Sequence, residues 1–489
     1  MSEIKVSESC DSEEDLTIGE AIEAEKKHKP DTLFLYFVVF TGIILMLVSS
    51  ATNVWTSPAI IKLHSNDTSE NILGREITTI ETSLLLGIPG VVSLIGACFL
   101  PKLADFMGRK KSLQSMGLGM FLSIVGLAFS NNIYLIIGFM CMIQIFCAGV
   151  WGILPVYLTE ICDDHNRAKH GCLMTVFSPV GQLYGLIIGP MFNLRLFTLL
   201  IGLPLIPFLL LFLLAPESPT YSLTKGRYDE SLKTLKKLRN NKTEIQIEHD
   251  FNSLKESTLT PDEQKQFSLI MLINTKECRI GLLLALLPIL LQNFCGIQVI
   301  TPLLGPIFND SGSNISGDNI AIIVGTVKLI TFIITTFIIE STGRKPMLII
   351  SAIGAGISAT CLGISFYLKE VKSPLIDKFQ WAPLVFICIY FVSYSIGLGP
   401  IPMAIMSELF TSDVRATAIA VISTLSSLLL AIYTALYPIL AEMIGTHWCM
   451  WMFGVSCFFG SFLIFKLLPD VRGKSIAEIQ IVLKNYRIF

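Results

Sequence analysis

Two short charged motifs interrupt an otherwise apolar sequence, and each places an acid four residues before an arginine. They read DFMGRK at 105–110 and ESTGRK at 340–345. An acid and two bases at helix ends can form ion pairs with neighbouring helices and hydrogen bonds to their terminal carbonyl groups. Such contacts hold only while those helix ends lie together, so they favour one of two conformations and predict a gate. The simpler interpretation is that the bases only anchor the chain on one side of a membrane.

The composition indicates that these motifs belong to a membrane protein. The chain has 489 residues, of which 52% are hydrophobic and only 15% are charged, and its mean hydropathy is +0.65. A soluble domain carries about a quarter charged residues, so this chain has too few to cover a water-exposed surface. A net charge of −2 without a basic stripe argues against nucleic-acid binding. The twelve cysteines have no regular spacing, so we expect no disulfide framework.

The elements that position the motifs are predicted to be membrane-spanning helices, because a helix satisfies its own backbone across a bilayer. We therefore predict an all-α membrane protein with twelve spans, near 33–54, 79–100, 113–130, 133–155, 171–192, 196–215, 279–304, 319–339, 347–367, 382–405, 416–440 and 446–468. The predicted domains are a tail, a six-helix bundle, a partly helical linker, a second six-helix bundle and a second tail, at 1–32, 33–215, 216–278, 279–468 and 469–489.

The basic residues predict how the chain is oriented. An even number of spans puts both termini on one side, and the breaks on that side hold 29 of the 36 Lys and Arg, whereas the opposite breaks hold six. Because basic residues are enriched in cytoplasmic loops, we expect both termini in the cytoplasm and the protein in the plasma membrane. Three glycosylation sequons fall in the predicted outer loops, at Asn66, Asn309 and Asn314.

Three charged motifs recur in the same order, which indicates a duplicated six-helix unit. DFMGRK is repeated as ESTGRK after 235 residues, EICDDHNR as ELFTSDVR after 248, and PESPTYS, which begins at Pro216, as PDVRGKS after 253. Two such halves are typical of transporters that bind their ligand between the halves near the membrane midplane. The predicted gating residues lie at helix ends on the side of the termini and are Asp105, Gly108, Arg109, Lys110, Glu160, Arg167, Glu217, Glu340, Gly343, Arg344, Lys345, Glu408 and Arg415.

Several motifs together resemble the sugar porter family of the major facilitator superfamily over nearly the whole chain. They are DFMGRKK, PVYLTEI, PESPTYSLTKGRYDES, LQNFCGIQ, ESTGRK and GLGPIPMAIMSELF. The stretch VWTSPAIIKL is similar in particular to the insect facilitated trehalose and glucose transporters. This resemblance implies the major facilitator fold, a small sugar as the ligand, and no cofactor or metal. It also implies a broken helix at GLGPIP, with Pro400 and Pro402 in the gate.

The resemblance further implies that amides on span 7 bind sugar hydroxyl groups in a central cavity. Carried over position by position, these amides are Gln292, Asn293 and Gln298. A carboxamide offers both a donor and an acceptor, as a hydroxyl does, and burying it in a membrane helix is costly unless it pairs. The alternative is that the three amides hold neighbouring helices together.

Other candidate positions depart from the family pattern or leave two interpretations open. Thr175 stands where the family has a glutamine, and Met403, near Gly399, stands where it has a tryptophan. Gln182 on span 5 either faces the cavity or packs between helices. Lys328 lies near the middle of span 8, where a cation is a default functional candidate, although its long stem could reach water without touching a ligand.

The expected function is facilitative transport of a small sugar by alternating access, carried out by a monomer. Span 1 contains no Asp, Glu, His or Arg that could serve a proton relay. The alternatives are a proton-coupled sugar or polyol symporter and a non-transporting sugar receptor of the same fold. We do not expect an enzyme, because the chain has no GxSxG, HExxH or P-loop pattern.

Overall fold

The computed structural model describes residues 31–65, 67, 71–258, 275–309, 315–374, 378–410, 412–469 and 478. The elements in these ranges are helices, and the spans keep the numbers of the predicted stretches. Spans 1 to 6 are formed by Leu33–Val54 with Thr56–His64, Thr79–Met107, Arg109–Ala128, Ile133–Ile161, Asp164–Met191, and Leu194–Gly202 with Leu205–Leu211 and Phe212–Leu214. The linker helices are Pro219–Thr224, Tyr228–Leu238 and Glu244–Thr258. Spans 7 to 12 are formed by Lys276–Phe294 with Ile297–Ile300, Thr301–Leu303 and Leu304–Asn309, then Gly317–Thr342, Arg344–Glu370, Ala382–Ile396 with Ile401–Glu408, Ser412–Ile444, and Thr446–Leu467.

The helices confirm an all-α protein that crosses a membrane several times. Within the described ranges, eleven helical segments are long and apolar enough to span a bilayer. The predicted span outside this set is span 3, a helix of 20 residues that begins with the polar sequence RKKSLQS. Span 3 packs against spans 4 and 6. The count of twelve spans therefore stays a prediction.

The two halves repeat the same helix packing. Span 1 packs on span 5, span 2 on span 4, and span 3 on span 6, and the same pairs recur as span 7 on span 11, span 8 on span 10, and span 9 on span 12. The halves meet where span 2 packs on span 11 and span 5 packs on span 8. This equivalence agrees with a duplicated unit.

Spans 7 and 10 are both broken, and the breaks are bonded to the surrounding helices. Gly296 interrupts span 7 with a φ of +87°, a left-handed conformation that favours glycine. Residues 397–400 interrupt span 10, as the GLGPIP motif predicts. The Tyr390 hydroxyl on span 10 donates a hydrogen bond to the Cys295 carbonyl beside the break in span 7. A non-helical backbone at this depth needs such partners, because lipid offers none.

The linker helices are docked on the first half through a charge cluster. Arg239 and Lys242 each pair with Asp163, between spans 4 and 5, and with Asp250 of the last linker helix. Burial alone would raise the pKa of Asp250, but the two bases outweigh it, so its pKa is lowered. Leu238 on the preceding helix is buried. The linker is therefore packed structure over residues 219–258, and not only a solvated connection.

Candidate functional site

A cavity of about 270 Å³ lies between the two halves and is called the seam cavity here. Its walls come from spans 1, 2, 4 and 5 of the first half and from spans 7 and 11 of the second. The lining side chains are uncharged, and the polar ones are Thr52, Asn53, Thr56, Ser93, Gln144, Gln182, Gln298, Thr301, Ser427 and Thr434. Amides and hydroxyls both donate and accept hydrogen bonds, so this lining suits an uncharged ligand surface with several hydroxyl groups.

Two of the predicted binding residues, Gln182 and Gln298, line the seam cavity. Gln298 is exposed and follows the break in span 7 by two residues. Its Nε2 atom donates to the Tyr394 hydroxyl at 3.2 Å. Because the ring of Tyr394 is buried, the amide of Gln298 is held by a fixed partner while it still faces the open space.

Sequence reasoning missed a second pair of amides in the cavity, Asn53 and Gln144. The Gln144 Nε2 atom donates to the Asn53 Oδ1 atom at 3.1 Å, and both residues line the cavity. The sequence did contain an indication of their role, because each is an amide inside a predicted apolar span. It was the same signal that drew attention to Gln182.

Gln292 and Asn293 lie outside the cavity lining. The Gln292 Nε2 atom donates to the Gly399 carbonyl at 3.0 Å and to the Tyr394 hydroxyl at 3.3 Å, so this amide ties span 7 to the break in span 10. The Asn293 Nδ2 atom donates to the Ser426 hydroxyl of span 11 at 2.7 Å. For these two residues, the geometry matches the alternative of packing between helices.

Thr175 and Met403, which were also predicted to bind the ligand, lie outside the lining of the seam cavity. The Thr175 hydroxyl donates to the Gly171 carbonyl of its own helix at 2.8 Å. Met403 is exposed on the second part of span 10, which begins with Pro400 as its cap and Pro402 in its first turn. Met403, Pro400 and Pro402 therefore lie beside the break in span 10, whereas Thr175 lies on span 5. None of the four is in the lining of the seam cavity.

Lys328 reaches across the seam from span 8 to span 5. Its Nζ atom donates to the Oε1 atom of Gln182 at 2.8 Å. The same ammonium lies 5.6 Å from the centre of the Phe391 ring. Lys328 is not itself in the cavity lining, but its hydrogen-bond partner is.

The halves are joined on the membrane side opposite the termini. The Thr56 hydroxyl of span 1 donates to the Pro302 carbonyl of span 7 at 2.9 Å. The backbone N–H of Gly305 on span 7 donates to the Ser57 hydroxyl of span 1, also at 2.9 Å. These bonds join the second part of span 1 to the last part of span 7, so they hold the two halves together on this side of the seam.

The charged motif of the first half forms an ion pair at the side of the termini. The Arg109 Nε atom lies 3.1 Å from the Glu160 Oε2 atom, and its Nη1 atom lies 3.0 Å from the Asp105 Oδ1 atom. All three residues belong to the first half, so this contact ties span 3 to spans 2 and 4 and does not bridge the seam. The predicted gating role of the motif stays a prediction.

The glycines and lysines of the two motifs have equivalent roles. Gly108 has a φ of +102° and Gly343 a φ of +90°, so both make the left-handed turn between consecutive spans. The Lys110 ammonium donates to the Leu213 carbonyl at the end of span 6 at 2.8 Å. The Lys345 ammonium donates to a carbonyl at the corresponding end of span 12. Each lysine thus satisfies a helix end of its own half.

The other predicted gating and glycosylation positions are placed only in part. The Glu217 carboxylate accepts a hydrogen bond from the backbone N–H of Lys110 at 2.9 Å. The side chains of Glu340, Glu408 and Arg415, and the residues Asn66 and Asn314, lie outside the described part of the chain. Described positions among the rest are Arg167, exposed at the start of span 5, Arg344, half-buried at the start of span 9, and Asn309, exposed at the end of span 7.

Within the first motif, we expect Glu160→Gln to destabilise the protein far more than Asp105→Asn. The Glu160 side chain is 14% exposed and that of Asp105 is 67% exposed. Glu160→Gln removes the charge of the partner that is shielded from water, at a cost of about 1–3 kcal/mol. The exposed pair with Asp105, which this variant keeps, contributes about 0–1 kcal/mol. Thermal unfolding of the purified variants measures both effects. Equal shifts for the two variants would show that the Arg109–Glu160 pair contributes no more than the exposed one.

Comparison with protein families gives a match that spans almost the entire chain. Residues 29–483 match the family model described as sugar (and other) transporter. The Facilitated trehalose transporter Tret1-2 homolog of Drosophila simulans is 30% identical over 89% of this chain and 88% of its own length. Facilitated trehalose transporter Tret1 of Polypedilum vanderplanki is 28% identical over 93% of this chain and 90% of its own length.

Some of the relatives are much longer than this chain. Trehalose transporter 1 of Drosophila melanogaster is 30% identical over 89% of this chain, but the match covers 50% of that relative. The chain thus spans about half the length of this relative and of its Drosophila sechellia counterpart.

Solved structures match the fold. The xylose transporter XylE from E. coli in an inward-open conformation superposes with a TM-score of 0.75 at 19% identity, over 92% of this chain and 99% of the other. The proton:xylose symporter XylE bound to 6-bromo-6-deoxy-D-glucose gives a TM-score of 0.68 at the same identity, over 93% of this chain and 100% of the other. The fold is therefore that of the major facilitator transporters.

Proposed function

The chain belongs to the sugar (and other) transporter family, and on this basis we propose that it carries a small sugar across a membrane by facilitated diffusion. The observation that carries the proposal is the seam cavity, which lies between two equivalent halves and is lined by amides and hydroxyls together with apolar side chains, all of them uncharged. Trehalose and xylose, which name the relatives and the solved structures, are polyhydroxylated solutes of the kind that this lining can bind. At about 270 Å³, the cavity is just below the ~300–1,000 Å³ usual for ligand sites, which favours a small sugar.

The two halves supply the movement that transport requires. Hydrogen bonds between spans 1 and 7 hold the seam together on the side opposite the termini. Releasing them, and bringing the other ends together, would expose the same cavity to the opposite compartment. This is alternating access about a site near the midplane.

Uncoupled transport is favoured over proton symport by the cavity walls. A proton relay needs a group that titrates, and the lining consists of uncharged side chains without Asp, Glu or His. We propose further that the carrier is a monomer in the plasma membrane with both termini in the cytoplasm, because each chain encloses its own cavity and the basic residues lie on the side of the termini.

Counterflow in proteoliposomes tests the proposal. Purified protein is reconstituted into vesicles loaded in turn with hexoses, trehalose or polyols, and entry of the same labelled compound is followed. We expect saturable counterflow of at least one sugar, unchanged when the proton gradient is collapsed. Absence of counterflow for every compound would leave a non-transporting receptor, and uphill accumulation driven by an acid exterior would replace the uniporter by a symporter.

A further inference from the structure

Lys328 places a cation close to the middle of a membrane helix. It lies on span 8, Gly317–Thr342, which is otherwise apolar over most of its length. An ammonium at this depth costs several kcal/mol unless it is paired or hydrated, and such residues mark solute or ion pathways in membrane proteins. The position therefore needs a compensating group.

The described residues give Lys328 only neutral partners. These are the amide oxygen of Gln182 at 2.8 Å and the face of Phe391 at 5.6 Å. The acids at the two ends of its own helix, Asp318 and Glu340, are ten and twelve residues away, which corresponds to about 15 and 18 Å along the axis. A lysine side chain cannot cover that distance. Among the residues that the structure describes, its charge is thus solvated by an amide and a ring, without a carboxylate.

The contact with Lys328 also orients Gln182. An ammonium has donors and no acceptor, so the amide must turn its oxygen toward Lys328, and its NH₂ group is left as a donor elsewhere. Gln182 lines the seam cavity. At this edge of the cavity, the amide of Gln182 can donate hydrogen bonds, and the positive charge of Lys328 lies directly behind it, outside the lining. The remaining polar side chains of the lining are neutral.

We propose that Lys328 and Gln182 form a subsite for an anionic group, and that the preferred ligand is a sugar acid whose carboxylate lies at this subsite. Its hydroxyl groups would bind the neutral amides around Gln298 and Asn53. The carboxylate supplies the negative charge that the described neighbours of Lys328 lack, since an oxyanion accepts hydrogen bonds from both the ammonium and the amide. This inference rests on the proposed sugar transport and refines its substrate class.

Competition between two matched compounds tests the subsite. Glucuronate and glucuronamide share one ring and differ in charge, and each is added during counterflow of a labelled neutral sugar. We expect glucuronate to compete at least about tenfold more strongly than glucuronamide, which corresponds to about 1.4 kcal/mol. Lys328→Gln should bring the ratio of the two inhibition constants to about one. Equal competition in the unaltered protein, or a ratio unchanged in Lys328→Gln, would overturn the proposal.

A second variant and a direct binding measurement keep the test decisive. Gln182→Glu retains the lysine but gives it an internal carboxylate, so the preference for glucuronate should be lost with the charge of Lys328 still present. The purified protein should be stabilised against heat more by glucuronate than by glucuronamide, and this measurement reports binding without transport.

The possible outcomes separate the two proposals. Counterflow of neutral sugar without any preference for glucuronate would refute the subsite alone, whereas absence of all counterflow would refute the proposed function. Loss of the preference when only chloride is added would assign the subsite to an inorganic anion and refute the sugar-acid assignment.

Discussion

Replacing Gln298 by alanine is expected to raise the apparent Km for the transported sugar about five- to 150-fold. A sugar hydroxyl that is enclosed in the cavity without its hydrogen-bond partner costs about 1–3 kcal/mol. Gln298 is exposed to the seam cavity and lies just after the break in span 7. Its amide is oriented by the hydroxyl of Tyr394. Removing it takes away a donor and an acceptor that face the ligand. Uptake across a range of sugar concentrations, at matched amounts of protein in the membrane, measures the effect.

Asn293→Ala is the matched control, since it removes another amide from the same span. Asn293 is 4% exposed and donates to Ser426 on span 11. We expect this variant to unfold at a lower temperature and to keep its Km within about twofold, because the lost bond holds helices together and does not face the ligand. A Km that changes in Asn293→Ala and not in Gln298→Ala would reverse the assignment of the two amides.

Replacing Gly87 by leucine is expected to force the seam open on the side opposite the termini. A Cβ on Gly87 of span 2 would lie 2.4 Å from the Cβ of Ala435 on span 11. The two helices must separate to accept a larger side chain, and they belong to different halves. The conformer in which this side is open then becomes the favoured one. In a background without native cysteines, a cysteine introduced at Thr434 in the cavity should react more than about tenfold faster with an impermeant reagent on that side, a shift of about 1.4 kcal/mol.

Gly138→Leu is the control for this wedge. Gly138 lies on span 4 and a Cβ there would meet nothing within 4 Å, so the same substitution should leave the reactivity at Thr434 unchanged. Gly90→Leu offers a second wedge on span 2, since its Cβ would lie 2.9 Å from that of Ala431. Should both wedge variants fold and react no faster than Gly138→Leu, contact between spans 2 and 11 would not control this side of the seam.

The lining of the seam cavity shows which placements the sequence could predict and which it could not. It selected Gln182 and Gln298, which line the cavity, but also Gln292 and Asn293, which lie outside the lining. All four are amides in apolar spans, so composition treats them alike. The break at Gly296 changes the direction of the chain between Asn293 and Gln298, and thereby decides which amide faces the cavity. Asn53 and Gln144 are amides in apolar spans as well, but no local pattern shows that spans 1 and 4 bring them together.

The charged motifs likewise combine a repeat that is visible in the sequence with contacts that are not. Their repetition predicts two equivalent halves, and Lys110 and Lys345 contact helix-end carbonyls in equivalent places. The sequence could not show that Arg109 would pair with Glu160 inside one half. Ion pairs form between side chains that helix packing brings within about 4 Å, and the partner was 51 residues away.

By itself, the sequence determined the class of this protein and the approximate positions of its helices, and it predicted a duplicated arrangement. These follow from the requirement that a backbone in lipid bond to itself over about 20 apolar residues, which is a local property of the chain. Only the tertiary structure decided which polar side chains share the seam cavity, which of them hold helices together, and that Lys328 meets Gln182 across the seam. Those outcomes depend on how two bundles pack against each other. Residues separated by up to 248 positions, as Ser57 and Gly305 are, then come within hydrogen-bond distance, and no local pattern records that approach.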